Sequence, residues 1–566
     1  MLPLTKRWKI EPHISAEIED TLHSFPPLLR QILGSRGYIT PEAARAFLEA
    51  SSPAVTDPFC MKGISEAVER LQYAIRGGEI IAIYGDYDAD GVTATALLVQ
   101  ALNALGAQVQ AYIPNRFEEG YGLNNEALAS LHRQGVSVVV TVDCGIRSLP
   151  EVEYAHELGL DLIITDHHTP GINLPRAYAV INPKQIEDTY PDKDLAGVGL
   201  AYKLACALIT VLQPQNIQPE TFLDLVALGT VADLAPLIGE NRYLVKAGLQ
   251  MIRQPSRQGL HALMEIAGLK PGRVSATDIG YVLGPRLNAA GRLDSAMAAY
   301  ELLTTNDIFR AGQLAQMLDV QNRERQQITR SIQEQAEQIA LAENPDALLL
   351  FAAHPDFNSG VVGLAASRLT EQYYRPAIVA HYGSHFTRGS CRSIPEFDIT
   401  EALDQCVDLL EHYGGHTAAA GFTIRNENLP VFVERLQSIA SQQLSSLDLR
   451  PCLSADAEIP LSDLKPEYLK YLDWLQPTGI KNREVIFVSR GLQVKYPRLV
   501  GKDGAHLKIS VTDGWITHDA IAFRQGYWFQ QMPPLIDLMY SFEKNEYNGR
   551  ETIQLNVRDL KPSGIP

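Results

Sequence analysis

Short apolar runs alternate with helical stretches through the first half of the chain, and each run stops at a polar cluster. Glu79–Tyr84 stops at Gly85-Asp86, Ala107–Ile113 at Pro114-Asn115, and Val136–Val142 at Asp143. Leu162–Thr165 stops at Asp166-His167-His168, and Tyr178–Ile181 at Asn182-Pro183. Helical patterns such as Ala94–Leu105 and Glu151–Leu158 lie between them. Strands alternating with helices predict βαβ units and a parallel sheet. Such sheets hold ligands beyond the carboxyl ends of their strands, and here those ends carry Asp and His. Upstream, residues 27–75 predict amphipathic helices, one opening at Thr40-Pro41-Glu42 with a cap and a proline at the first position.

The pattern changes twice. Residues 305–345 form a long polar helical stretch, with neither Gly nor Pro between Gly312 and Pro345, and read as a linker helix. A second α/β segment follows over 346–445, with strands at Ala347–Ala353 and Ala377–Ala380 and a helix at Val361–Leu369. From 452 to 566 short alternating strands (Val485–Val488, Ala505–Val511, Ile516–Phe523, Ile553–Val557) predict a small β-barrel. The expected order is therefore a helical segment (1–75), a parallel-sheet α/β domain (76–304), the linker helix, a smaller α/β domain, and the barrel.

The length of 566 residues accommodates three or four such domains. Hydrophobic residues at 46% and charged residues at 20% exclude a disordered chain or a coiled coil. No apolar run reaches the roughly 18 residues of a membrane span, and Met1–Trp8 carries no secretory stretch. Six cysteines without a C-x-x-C pair suit a reducing cytoplasm. The net charge of −17 speaks against nucleic acid as a partner, but Pro451–Pro566 holds 14 basic and 14 acidic residues, so the acidity lies upstream. Lys481, Arg483, Arg490, Lys495, Arg498, Lys502 and Lys508 read either as a solvated strand face or as a basic groove, with Phe487, Tyr496 and Trp515 available for base stacking.

The strongest chemical signal is Gly85-Asp86-Tyr87-Asp88-Ala89-Asp90-Gly91. Three carboxylates at alternate positions after a buried strand repel one another, and a shared cation relieves that repulsion. An EF-hand is excluded, because its twelfth position would be Leu97 rather than Glu. With Asp143, Asp233 and the His167-His168 pair, the oxygen-rich set with imidazole suits two Mn²⁺ or Mg²⁺ ions. Two such ions favour hydrolysis at phosphorus. Adjacent histidines point apart, so one can ligate while the other faces a substrate.

These residues, in this order, resemble the DHH phosphoesterase superfamily. Tyr84–Gly91, Gly284-Pro285-Arg286-Leu287-Asn288-Ala289-Ala290-Gly291-Arg292, Gly360–Leu369 and Gly414-Gly415-His416 with Ala419-Ala420-Gly421 are similar to the RecJ family within it. The resemblance implies a DHH domain, a DHHA1 domain and a C-terminal OB-fold, and a 5′→3′ exonuclease acting on single-stranded DNA in repair and recombination. It implies Asp88, Asp90, Asp143, His167 and Asp233 as metal ligands, Asp86 as ligand or neighbour, and His168 at the scissile phosphate. Arg286, Asn288 and Arg292 would form a phosphate-binding loop, and Ser367, Arg368, Arg392, Gly415 and His416 would hold the strand. Single-strand-binding protein and a RecQ-type helicase are the implied partners. The alternatives are a hydrolase of short oligonucleotides or cyclic dinucleotides, and a non-catalytic scaffold at the replication fork. The chain departs from the family at Asn358-Ser359 and over 478–483.

Overall fold

A computed structural model describes residues 5–116, 119–120, 122–547 and 550–564. Residues 1–4, the start of the Met1–Trp8 stretch read above, lie outside them. The chain divides into two compact units, Ala54–Ala235 with Leu244–Leu449, and Met1–Pro53 with Pro236–Tyr243 and Arg450–Pro566.

The first unit contains two sheets. Strands β1 (Ile80–Gly85), β2 (Gln108–Tyr112), β3 (Val136–Val142), β4 (Asp161–Thr165) and β5 (Ala179–Ile181) are all parallel, in the order β2-β1-β3-β4-β5. Val138, Val139, Val140, Leu162, Ile163 and Ile164 are almost wholly buried, as expected for a sheet covered on both faces. Helices α1 (Ala89–Ala104), α2 (Gly197–Leu212) and α3 (Leu223–Ala232) are apolar nearly all round and pack on one another. Helix α4 (Gly284–Leu293) follows a single π-helical turn at Ile279–Leu283. Helix α5 (Ile308–Glu343) is the long polar stretch, continuous over 36 residues.

The second sheet comprises β6 (Leu350–His354), β7 (Ala377–Tyr382), β8 (Phe386–Arg392), β9 (Leu410–His416) and β10 (Ala419–Arg425), in the order β9-β10-β8-β7-β6. Only β6 and β7 run parallel. Helix α6 (Val362–Tyr373) lies on one face, where Ala365 and Leu369 meet Val379 and Ala377, while Phe422, Ile424 and Cys391 form a separate core on the other face.

In the second unit β11 (Phe487–Val500), β12 (His506–Thr512), β13 (Thr517–Ala522), β14 (Leu535–Tyr547) and β15 (Arg550–Pro562) follow the order β11-β12-β13-β15-β14. The pairing of β11 with β14 closes this into a five-stranded barrel. The chain's N-terminal region belongs with it. Arg7–Ile10 pairs with Cys452–Ala455, and Leu29, Ile32 and Leu33 share the core of Phe487, Leu507 and Tyr540. Thr40 caps Pro41–Glu49 through the amide of Ala43, with Pro41 at the first position. Arg242 is almost wholly buried and donates to the carbonyls of Phe47, Pro477, Trp474 and Gln476.

Three expectations are corrected. Phe487 has no exposed surface and fills the barrel core, so it cannot stack on a base; Tyr496 and Trp515 are 80% and 91% exposed. The basic run is partly committed: Arg490 pairs with Glu458 and Asp537, Arg483 with Asp456, and Lys508 with Asp519. Arg286, Asn288 and Arg292 stand on the helix α4, not in a loop.

Candidate metal centre

Each acidic side chain of the centre sits where a strand or helix ends. The turn Asp86–Asp88 leaves β1 and enters α1, and Asp88 is the helix cap. Its Oδ1 accepts from the amides of Asp90 and Gly91 at 2.8 and 3.1 Å. Asp90 lies one residue inside that helix, fully buried, where Oδ1 and Oδ2 accept from the amides of Val198 and Gly197 at 2.8 and 2.7 Å. Those amides open α2, and a helix start offers unpaired N–H groups and partial positive charge to a carboxylate. Asp143 follows β3 in a left-handed conformation, φ 62°, unusual for a residue with a side chain. Its amide is fixed by the Thr165 carbonyl at 3.0 Å. Asp233 closes α3.

The imidazole of His167 joins them. Nε2 lies 3.1 Å from Oδ1 of Asp143, 3.7 Å from Oδ2 of Asp233 and 4.0 Å from Oδ2 of Asp90. Three groupings bring ligand atoms within 4.8 Å of one another: Asp90, His167 and Asp233; Asp86, Asp88 and Asp143; and Asp143 with both histidines. Asp143 and His167 each belong to two of them, which makes the three groupings one connected cluster. Oδ1 of Asp86, Oδ1 of Asp143 and Nε2 of His167 are buried without a hydrogen-bond partner. Buried polar atoms are otherwise paired almost everywhere in proteins. A divalent cation accounts for all three orphans, so the donor set fits Mn²⁺ or Mg²⁺.

Burial and then mutual repulsion set the protonation of the cluster. Asp86 and Asp143 are pushed well above the usual carboxylate range, Asp90 to about 7 and Asp233 to about 9, burial being the larger cause each time. Burial, helped by the charge of His168, pushes His167 down to about 3, which keeps the imidazole neutral, the form that can bind a metal. His168 behaves differently. Burial works against its proton, but the carboxylate of Asp166, 2.7 Å from Nδ1, raises its pKa. Asp166 also accepts from the amides of His168 and Ile146.

The remaining candidates surround this cluster. Asn288 accepts from the amide of Ala89 at 2.7 Å and pins the acidic turn. Arg292 is partly buried and donates to the Gly360 carbonyl; burial lowers its pKa to about 10, as do the charges of Arg116 and Arg325. Arg286 is held by Asp319 on α5 and by the Val282 carbonyl. Arg392 donates to Ser390 and to the Cys391 carbonyl. The hydroxyl of Ser367 donates to the Gly363 carbonyl one turn back, and Arg368 lies on the same helix α6. Gly415 and His416 line one cleft of about 390 Å³ with Asp166 and His168.

The sequence alone passes over four residues. Asp166 reads there only as a motif letter, yet it orients His168. Asn182 donates to the His168 carbonyl, and Lys184 to that of His167 at 2.6 Å, so the segment after β5 holds the histidine pair from behind. Arg116 sits over the Tyr87 ring, and its charge is felt at Asp86, Arg292 and Arg392. Each stands at a polar strand end already visible in the chain.

Three family descriptions match the chain: DHH family, N-terminal domain, at residues 80–230; DHHA1 domain at 346–442; and RecJ OB domain at 455–559. The chain is 39% identical over its whole length to the single-stranded-DNA-specific exonuclease RecJ of Bacillus subtilis, covering 72% of that protein. It is 38% identical to the Dickeya dadantii protein of the same name, covering 97% of this chain and 98% of that one. Among solved structures, RecJ from Thermus thermophilus in complex with Mn²⁺ superposes with a TM-score of 0.85 at 31% identity, over 99% of this chain and 80% of that one. The Mg²⁺ complex gives a TM-score of 0.79. Among the described residues no helix is long and apolar enough to cross a membrane.

Proposed function

We propose a division of labour among these residues, starting from kinship: the chain belongs to the RecJ family of single-stranded-DNA-specific exonucleases. It hydrolyses phosphodiester bonds of single-stranded DNA with Mn²⁺ or Mg²⁺. The observation that carries the assignment of residues is the set of three orphaned buried ligand atoms, on Asp86, Asp143 and His167, in one acidic cluster. Asp88, Asp90, Asp143, His167 and Asp233 hold two ions, with Asp86 as a further ligand or neighbour. Bound there, the ions supply Lewis acidity, neutralising the phosphate and easing deprotonation of water.

The chain's own groups do the rest. Asp166 occupies Nδ1 of His168 and so leaves Nε2 to face the scissile phosphate. As the P–O3′ bond breaks and water oxygen adds to phosphorus, His168 gives its proton to the departing O3′. Its raised pKa keeps that proton available near neutrality. Arg116, Arg292 and Arg392 bind backbone phosphates, for which planar guanidinium forks are suited. Gly415 and His416 border the cleft in which the strand end lies, while Ser367 and Arg368 support it from α6. Arg286 braces α4 against α5.

The reading includes 5′→3′ polarity, a cytoplasmic role in DNA repair and recombination, and partnership with single-strand-binding protein and a RecQ-type helicase. It draws on the OB barrel, whose exposed Tyr496 and Trp515 offer stacking faces for successive bases. The test is the purified chain with Mn²⁺ and a strand labelled at either end, beside duplex and RNA controls. Label at the 5′ end should be lost first from single-stranded DNA, and Asp143→Ala should abolish the loss while keeping the melting temperature. An Asp143→Ala variant digesting at the wild-type rate would refute the assignment.

A further inference from the structure

The open face of the second sheet continues past the cleft. Cross-strand partners share a face of a sheet, and three successive rows cross β8, β10 and β9 on the side that bears α6. They are Arg392–Ala419–His416, Ser390–Gly421–Gly414 and Arg388–Thr423–His412. The first row reaches the cleft through His416. A side-chain carbon on Gly363, in the first turn of α6, would touch Ser390 and Arg392, so the helix edge ends at β8. Beyond it, nothing stands within 4 Å of where a Gly414 side chain would begin.

The middle row therefore offers a bare floor, Gly421 beside Gly414, between two rows that carry cations. Arg388 is exposed, and its guanidinium has no hydrogen-bond or ion-pair partner among the described residues. His412 is exposed in the same row, across Thr423. The nearby carboxylate of Glu411 is already engaged by Arg425 at 2.7 Å. The backbones of Arg388 and Arg392 are roughly 13 Å apart along the sheet, and the Arg392 guanidinium leans back toward the middle row, onto the Ser390 hydroxyl. A flat uncharged floor between two cationic rows matches a base or sugar between two phosphates.

We infer that this face is a subsite for one additional nucleotide on the 5′ side of the cleft, its base or sugar over Gly414 and Gly421 and its 5′-phosphate on Arg388 and His412. The inference rests on the nuclease reading above and extends it. When the first linkage of a strand cannot be cut, the strand advances by one nucleotide and the second linkage is hydrolysed. Water oxygen adds to that phosphorus, the P–O3′ bond of the second nucleotide breaks, and a 5′-phosphorylated dinucleotide with a free 3′-hydroxyl leaves.

The experiment uses the full chain with Mn²⁺ and two 5′-phosphorylated single strands, one natural and one with an uncharged methylphosphonate as its first linkage. Wild type should release mononucleotides from the first and the blocked dinucleotide from the second. Arg388→Ala and Gly414→Leu should slow dinucleotide release by about tenfold or more, the scale of one lost charge-assisted phosphate contact. Both should leave mononucleotide release unchanged, and unchanged melting temperatures would show that both fold. Digestion of the natural strand without attack on the blocked one would overturn the subsite alone, as would variants that slow both strands equally or neither. Failure on both strands would overturn the nuclease reading itself.

Discussion

Substituting Gly197 by Ala perturbs the centre without removing a ligand. Gly197 is the first residue of α2, and its amide donates to Asp90. An added side-chain carbon would lie 2.8 Å from Cβ of Asp143, 2.9 Å from its Oδ1 and 3.0 Å from its Cγ. Ordinary contact begins at 3.4 Å, so the Asp143 side chain must retreat by about 0.5 Å, beyond the roughly 0.2 Å that metal–ligand distances tolerate. The Asp143 backbone cannot absorb the shift cheaply, because its left-handed conformation is fixed by the bond to Thr165. Disturbing the support of a ligand typically costs about 10–100-fold in metal affinity or activity. The Mn²⁺ concentration giving half-maximal digestion of an end-labelled strand should rise by that factor. The metal-free melting temperature, measured alongside, separates a folding defect from lost metal affinity. An unchanged Mn²⁺ midpoint would refute the claim that Gly197 is required by its approach to Asp143.

Three other outcomes follow from the same geometry. Without metal, Asp90 and Asp233 hold protons that the unfolded chain releases near pH 4, so their contribution to stability is complete in acid and is lost as pH rises through about 7 to 9. Melting in chelator should show a temperature falling from about pH 6 to pH 9, and Mn²⁺ should restore most at the alkaline end; a rise in chelator would contradict the assigned burial. Asp166→Asn removes the partner that raises the His168 pKa, so at saturating Mn²⁺ the alkaline limb of kcat should move to lower pH, and an unmoved limb would count against His168 as proton donor. Arg242→Met strands four carbonyls, those of Phe47 and Pro477 buried, and should lower unfolding free energy by about 3 kcal/mol, seen in denaturant titration.

The strand ends of the first sheet were legible because fully buried parallel strands are continuous apolar runs, and a run that stops at Asp or His announces both its end and its chemistry. Val136–Val142 followed by Asp143 is the clearest instance. Less was legible where the signal is tertiary. Nothing in the letters around Phe487 tells an inward from an outward aromatic on a barrel strand, because period-two alternation fixes faces only once register is known. Of the hairpin of β14 and β15 only Ile553–Val557 was legible, because polar residues, several of them buried (Asp537, Ser541, Gln554, Asp559), interrupt the alternation along both strands. The family resemblance implied a phosphate loop at Gly284–Arg292, yet Pro285 is acceptable at a helix start and the segment coils as α4.

Why the acids gather at all is a question of compensation. Asp86, Asp90 and Asp143 have lost their water, and burial alone would keep a carboxyl protonated and useless as a ligand. The fold answers unevenly. Asp90 receives two amides from the start of α2 and Asp88 two from the start of α1, so both are offset by backbone dipoles before any ion arrives. Asp86 and Asp143 each keep an oxygen with no partner, and so does the neutral nitrogen of His167. Half of the cluster is thus paired within the protein and half is left open, which orders the site in advance while reserving its strongest attraction for the divalent cations. A fully paired cluster would hold its shape without metal and bind it weakly. A fully unpaired one would unfold locally or stay protonated. The mixed arrangement makes metal loading and proton release one event, and it places that event beside His168, the group proposed to protonate the leaving oxygen.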